Sequence, residues 1–263
     1  RKGLIKLMVG RELIDQYPTK VGIQGEKVLE VKHITNKYVK DVSLTLHRGE
    51  ILGLGGLVGA GRTEVARAIF GADDLLQGEV ILNGRKVNIK SPKDAISYGI
   101  GLIPEDRKHH GVLLGLSIGK NVTLSSLKRV SKWGVINKVK EKSIWKDLKE
   151  SLKIKAPSLD QYVKNLSGGN QQKVVLAKWL ATQCDILIFD EPTRGIDIGA
   201  KQEIYKLMHE LVEKGKSIIM ISSEMPELLG MSDRILVMHE GKLVGEVSRE
   251  EATQEVILDM AAH

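Results

Sequence analysis

The run Asp185-Ile-Leu-Ile-Phe-Asp190-Glu191-Pro192-Thr-Arg-Gly-Ile-Asp197 leaves the backbone few options. Four consecutive apolar residues, Ile186 to Phe189, feed two adjacent carboxylates, and Pro192 stops the strand there. An apolar stretch without polar alternation suits a strand buried on both faces of a parallel sheet. Its two acids then fall at the carboxyl end, where open α/β sheets bind ligands, and burying them unpartnered would be costly. A divalent cation with a reacting water accounts for both acids; a strand that merely ends in solvated acids accounts for them as well. Two further motifs favour the first reading.

Ile51–Leu54 is a second apolar run, and it opens into Gly55-Gly56-Leu57-Val58-Gly59-Ala60-Gly61-Arg62-Thr63-Glu64. Val65, Ala66, Ala68 and Ile69 then recur at helical spacing. Strand, glycine loop and helix in succession form the setting of a phosphate-binding loop. Glycines let backbone N–H groups turn inward, and the helix N-terminus adds a favourable dipole. The pattern GxxxxGK followed by Ser or Thr is met at Gly56, Gly61 and Thr63 but fails at the lysine, which is Arg62. The Thr63 hydroxyl suits Mg²⁺, whereas the forked guanidinium of Arg62 cannot act as a compact charge between terminal phosphates. The second motif is Leu166-Ser167-Gly168-Gly169-Asn170-Gln171-Gln172, upstream of the two acids. It predicts a helix capped by Ser167 and running to about Ala181.

The remaining elements are read in chain order. Val28–Val31 and Val42–Leu46 are expected to form an antiparallel edge. Between them Tyr38 occupies a turn, where its ring either stacks on an adenine or simply packs. Val80–Leu82, Asn83-Gly84 and Val87–Ile89 predict a hairpin, and Ser91-Pro92 the start of a short helix. Ile100–Ile103, Ser217–Ile221 and Arg234–Met238 predict further strands, with a turn at Glu240-Gly241 and a terminal helix over 250–262. Between about 106 and 164 the texture becomes lysine-rich and helical, and Ile144, Trp145, Leu148 and Leu152 make a stripe that fits core. Residues 1–25, which start without methionine and pass Pro18, Gly22 and Gly25, are expected to be the tail of a preceding domain and a linker.

Composition narrows the function classes. Aromatics make up only 4% of the 263 residues, which disfavours base stacking on single-stranded nucleic acid. The single cysteine, Cys184, lies beside the buried run and fits an inert thiol. No apolar stretch approaches the ~20 residues of a membrane span, so any membrane role is expected to pass through a partner. The net charge of +7 is concentrated: Lys120 to Lys155 holds eleven basic against three acidic residues, +8, leaving about −1 elsewhere. A solvated helical face explains that run, and no motif ties it to nucleic acid or lipid.

Taken in this order, the motifs resemble the nucleotide-binding cassette of ABC transporters over nearly all of residues 26–250. More narrowly, "LMVGRELIDQYP" at 7–18, "GLVGAGRTE", "PEDR", "LSGGNQQK" and "EPTRGIDIGAK" resemble the second cassette of tandem ATPase subunits from simple-sugar importers of the ribose and galactose type. The resemblance implies a P-loop NTPase core, a mostly parallel sheet flanked by helices, with an antiparallel β edge and an inserted helical subdomain. The core would span 26–105 and 165–263 within a 26–263 domain, and the subdomain 106–164.

It implies ATP and Mg²⁺ as ligands. Tyr38, Gly56, Gly59, Ala60, Gly61, Arg62, Thr63 and Glu64 would line the nucleotide. Thr63, Asp190 and Glu105 would lie at the metal, and Glu191 would be the catalytic base. Ser167, Gly168, Gly169 and Gln171 would form the signature motif, Asp197 the D-loop acid, and Ser223 the switch position. Three positions depart from the family pattern: Arg62 replaces the loop lysine, Glu105 the Q-loop glutamine and Ser223 the switch histidine.

The expected partners are a second cassette, the N-terminal half of the same subunit, and a transmembrane permease. That places the chain on the cytoplasmic face of the membrane, touching the bilayer only through the permease, with no direct nucleic-acid contact. The signature residues would complete the partner's ATP site while this chain's own site is degenerate. A nucleotide-gated docking module without turnover is the alternative.

Overall fold

Polar–apolar alternation builds the first layer. The structure is a computed structural model that describes Tyr17 and residues 25–262; the expected linker over residues 1–25 otherwise lies outside the described residues. β1 (Lys27–Thr35) and β2 (Val42–His47) pair antiparallel, with Val31 opposite Leu44, and β2 buries every second side chain. β3 (Ile51–Gly56) is buried on both faces and leads through the glycine loop to α1 (Arg62–Ile69). β4 (Gln77–Leu82) returns beside β1, and β5 (Arg85–Val87) folds back on it. Asn83 and Gly84 make that turn with φ of 46° and 75°, the twist a two-residue hairpin requires. The antiparallel sheet is ordered β2-β1-β4-β5. α2 (Pro92–Ser97) starts as expected, with the Ser91 hydroxyl accepting from the Asp94 N–H, and β6 (Ile100–Ile103) is wholly buried.

The lysine-rich stretch is less uniformly helical than its texture suggests. A π-helical turn occupies Arg107–Gly111, followed by α3 (Ile118–Leu124) and α4 (Leu127–Val130). A hairpin of β7 (Ser131–Lys132) and β8 (Val135–Ile136) precedes α5 (Lys138–Ser151). The α5 stripe is core: Trp145 and Leu152 are buried, with Ile144 and Leu148 packed against them.

α6 (Gly168–Leu180) precedes β9 (Ile186–Asp190), α7 (Ile198–Glu213) and β10 (Ser217–Ile221). α8 (Met225–Met231), β11 (Arg234–His239), β12 (Lys242–Ser248) and α9 (Gln254–Ala262) close the chain. The main sheet runs β12-β11-β3-β10-β9-β6, parallel except for β12. Among the described residues no helix is long and apolar enough to cross a membrane. Cys184 is buried, and burial pushes its thiol pKa up, which keeps it an inert core group.

The strand order places the site. β3, β10 and β9 are adjacent and parallel, and Ile221 sits level with both Leu54 and Asp190. The glycine loop, Ser222-Ser223 and Asp190-Glu191 therefore leave one edge of the sheet side by side.

Candidate functional site

Asp190 closes β9 almost fully buried, and the chain turns at once. Glu191 takes left-handed backbone, φ 46°, with its N–H held by the Ile221 carbonyl at 3.0 Å. That region is uncommon outside glycine and persists only where neighbours fix it. From α1, Thr63 Oγ1 donates to Asp190 Oδ1 at 3.1 Å. Burial pushes the Asp190 carboxyl up to about 6, against the Thr63 hydrogen bond. A buried carboxylate beside a hydroxyl is the oxygen donor pair that a hard divalent cation takes, so the residues fit Mg²⁺.

The glycine loop is fixed by its own backbone. A Cβ at Gly56 would meet the Met238 carbonyl oxygen at 2.4 Å. Gly61 precedes α1 in left-handed conformation, φ 97°. The loop forms one side of a cleft of about 360 Å³, lined by Val58 to Glu64 with Glu105, Glu191, Arg194 and Ser223.

The three residues expected to depart from the family pattern, Arg62, Ser223 and Glu105, behave distinctly. Arg62 is buried: its Nη1 donates to the Ser222 carbonyl at 2.8 Å and its Nη2 lies 4.0 Å from Glu191 Oε1. The Ser223 hydroxyl donates to the other Glu191 oxygen, Oε2, at 3.0 Å. Glu105 gives its carboxylate to the guanidinium of Arg194. Glu105 lines one pocket with Thr63 and Asp190, the other two residues expected at the metal, while the neighbouring arginine balances its charge. No cluster of three or more His, Cys, Asp or Glu suited to a metal occurs among the described residues. Tyr38 lies at its turn outside the cleft lining, half exposed, with Lys37 Nζ 5.4 Å from its ring centre.

The signature residues form a second cluster. Ser167 has the extended backbone of an N-cap but makes no side-chain cap; its hydroxyl accepts from Asn170 Nδ2 at 3.0 Å instead. Gln171 also departs from expectation. It is buried, and its amide donates to the carbonyls of Val163 and Leu166, so it props the loop from inside. Gly168 faces the Arg107 guanidinium and Gly169 the Asp197 carboxylate, where added Cβ atoms would stand 3.0 and 3.8 Å away. Asp197 caps α7, accepting from the Ala200 N–H at 3.0 Å.

Three participants were not read from the sequence. Arg194 pairs with Glu105, and Arg107 donates to the Arg194 carbonyl at 3.1 Å, tying the two clusters together. Both stand in quoted motifs, "EPTR" and "PEDR", which was the available signal. The third is Glu227, 1% exposed. It accepts from Thr193 Oγ1 at 2.6 Å, Ser222 Oγ at 2.8 Å, Lys201 Nζ at 3.1 Å and the Tyr205 hydroxyl at 2.5 Å.

Residues 39–194 match the family model described as ABC transporter. This chain belongs to the ABC transporter family. The cassette is 52% identical over 259 residues to the ribose import ATP-binding protein RbsA of Oceanobacillus iheyensis, covering 98% of this chain and 52% of that one. It is 52% identical over 262 residues to a putative ribose/galactose/methyl galactoside import ATP-binding protein of Albidiferax ferrireducens, again 98% against 52%. The chain thus spans about half the length of the curated relatives it matches. A crystal structure of an ATP-binding cassette of an ABC transporter in its ADP conformation superposes with TM-score 0.72 at 23% identity, over 86% of this chain and 93% of that one. The fold is that of an ABC cassette: a P-loop α/β core with an antiparallel β layer.

Proposed function

We propose that this cassette binds ATP with Mg²⁺ and serves a simple-sugar importer of the ribose and galactose class, with a transmembrane permease and a second cassette as partners. The second cassette would be the N-terminal half of the same subunit, and the assembly would sit on the cytoplasmic face of the membrane. The observation that carries the nucleotide reading is the Thr63–Asp190 contact at the foot of the glycine loop, where Thr63 also lines the cleft that contains Glu191. The names of the two relatives support the sugar class.

In this reading the N–H groups of the loop and of the first turn of α1 hold the phosphates. Thr63 Oγ1 and Asp190 would hold Mg²⁺, which supplies charge neutralisation across the β- and γ-phosphates. Glu191 orients the attacking water and takes its proton.

Arg62 and Ser223 weigh against fast turnover here, because the Ser223 hydroxyl holds one Glu191 oxygen and the Arg62 guanidinium, 4.0 Å from the other, stabilises the carboxylate against taking a proton. Ser167 supports the complementary role. Its oxygen accepts from Asn170, which leaves its own proton available to a phosphate held by a partner. The cassette would complete a partner's ATP site with Ser167, Gly168 and Gly169. The engagement of Glu191 also favours a second reading, a nucleotide-gated module with no turnover of its own.

Phosphate release from Mg-ATP, measured against protein concentration with Glu191→Gln as control, tests the degenerate site. The expected rate equals that of the control. A rate that rises faster than linearly with concentration and vanishes in Glu191→Gln would refute it.

A further inference from the structure

The hairpin of β7 and β8 breaks two local rules at once. Its turn, Trp133-Gly134, has φ of 54° and 79°, a geometry that ordinarily takes Asn-Gly or Asp-Gly. A bulky aromatic in left-handed conformation is strained. Trp133 is nonetheless 93% exposed, whereas Trp145 and Trp179 are each 6% exposed. At that exposure, packing among the described residues does little to offset the strain, and such unrewarded violations concentrate at functional positions.

The surroundings indicate what the indole meets. Val135, Ile136 and Val139 stand exposed around it. Lys128, Lys132, Lys138 and Lys140 are also exposed, with no ion pair for their ammonium groups among the described residues. The segment from Lys120 to Lys155 carries +8. Protein interfaces enrich tryptophan but deplete lysine, so a lysine-ringed tip fits them poorly. An indole at the headgroup level with lysines against lipid phosphates is the common arrangement at bilayer surfaces.

We propose that the Trp133 hairpin is a peripheral membrane anchor that inserts its apolar tip into the headgroup layer of an anionic bilayer. This contact belongs to the chain itself, is additional to any docking on a permease, and does not rest on the sugar reading.

The test is tryptophan emission of the chain with phosphatidylcholine vesicles, with and without phosphatidylglycerol. Because the other two tryptophans are buried, a blue shift and quenching by brominated lipid report Trp133. Both are expected with phosphatidylglycerol only, and should fade as salt screens the lysines. Lys132→Glu and Lys138→Glu should each weaken binding more than about fivefold, since even neutralising a lysine at an anionic surface costs about that. Trp133→Asn suits the turn better, so it should leave thermal unfolding unchanged or raised while vesicle co-sedimentation is lost. No response to phosphatidylglycerol vesicles would overturn the proposal. So would co-sedimentation unaltered by Trp133→Asn, or burial of Trp133 only on adding a detergent-solubilised protein partner.

Discussion

Replacing Glu227 by alanine strips four donors of one acceptor. Thr193, Ser222 and Tyr205 are buried to 1%, 1% and 4% exposure, so water cannot readily substitute for the carboxylate. Each stranded buried hydroxyl costs about 1–3 kcal/mol, less whatever it regains by turning to another acceptor. Lys201 loses least, because it keeps its ion pair with Glu224. Breaking a buried charged network from one side typically costs 3–5 kcal/mol, and we expect Glu227→Ala to fall at about 4. Glu227→Gln keeps the volume and one acceptor oxygen. Its amide must donate to a hydroxyl that can rotate to accept, so about 1–2 kcal/mol is expected. Urea unfolding followed by circular dichroism measures both, through the midpoint at unchanged slope. Thr193 and Ser222 flank the segments bearing Glu191 and Ser223, so loosening this hub should also misplace those groups. A loss below about 1 kcal/mol for alanine, or equal losses for alanine and glutamine, would refute the account of Glu227 as the acceptor that joins these loops.

Three further outcomes follow from the site. Arg62→Lys should free the Ser222 carbonyl and supply a compact ammonium, raising phosphate release by about tenfold or more; an unchanged rate would remove Arg62 from the proposed account of a slow site. Ser167→Arg should cut ATP hydrolysis by a complete two-cassette assembly by roughly 10²-fold while leaving nucleotide binding by this chain intact, and undiminished hydrolysis would end the trans-completion reading. The Asp190 carboxyl is raised by burial from 3.8 to about 6, so the native state binds more protons than the unfolded chain between those values. Stability without Mg²⁺ should therefore fall as pH rises through that window. Asp190→Asn should remove the slope and gain up to about 3 kcal/mol at neutral pH, at the expense of Mg-dependent nucleotide binding. Urea midpoints that run parallel for the two proteins from pH 4 to 8 would contradict this.

Elements with a strong local signal were legible from the sequence. The apolar runs at 51–54, 100–103, 186–189 and 217–221 were short enough and placed so as to read as buried strands, and Asn83-Gly84 as a hairpin turn, which they are. The glycine loop was legible because strand, glycines and helix are contiguous. What could not be read depends on side-chain direction or on distant partners. Gln171 stands in a motif that suggests a ligand contact, yet helical phase turns it into the core. Ser167 has a capping residue's backbone, but Asn170 claims its oxygen. Glu105 was read as a Q-loop position near the metal, and its pairing with Arg194 depends on the fold bringing that residue across. Glu227 and Thr193 lie 34 positions apart, and neither has a pattern that names the other. Trp133-Gly134 was a turn signal hidden inside a lysine-rich run.

The ladder that sets Ile221 level with both Leu54 and Asp190 acts as a ruler for the site. Side chains alternate along a strand, so a one-residue insertion in β9 or β10 would shift its end by about 3.3 Å and exchange its two faces. Ser223 would no longer reach Glu191, and the core would fail with it. Insertions are thus barred within these strands, while single substitutions at the loop ends are not. On the proposed reading, Arg62, Glu105 and Ser223 are changes of the permitted kind: each alters charge or reach at a fixed address. A cassette built this way can lose or regain turnover by point changes without being refolded.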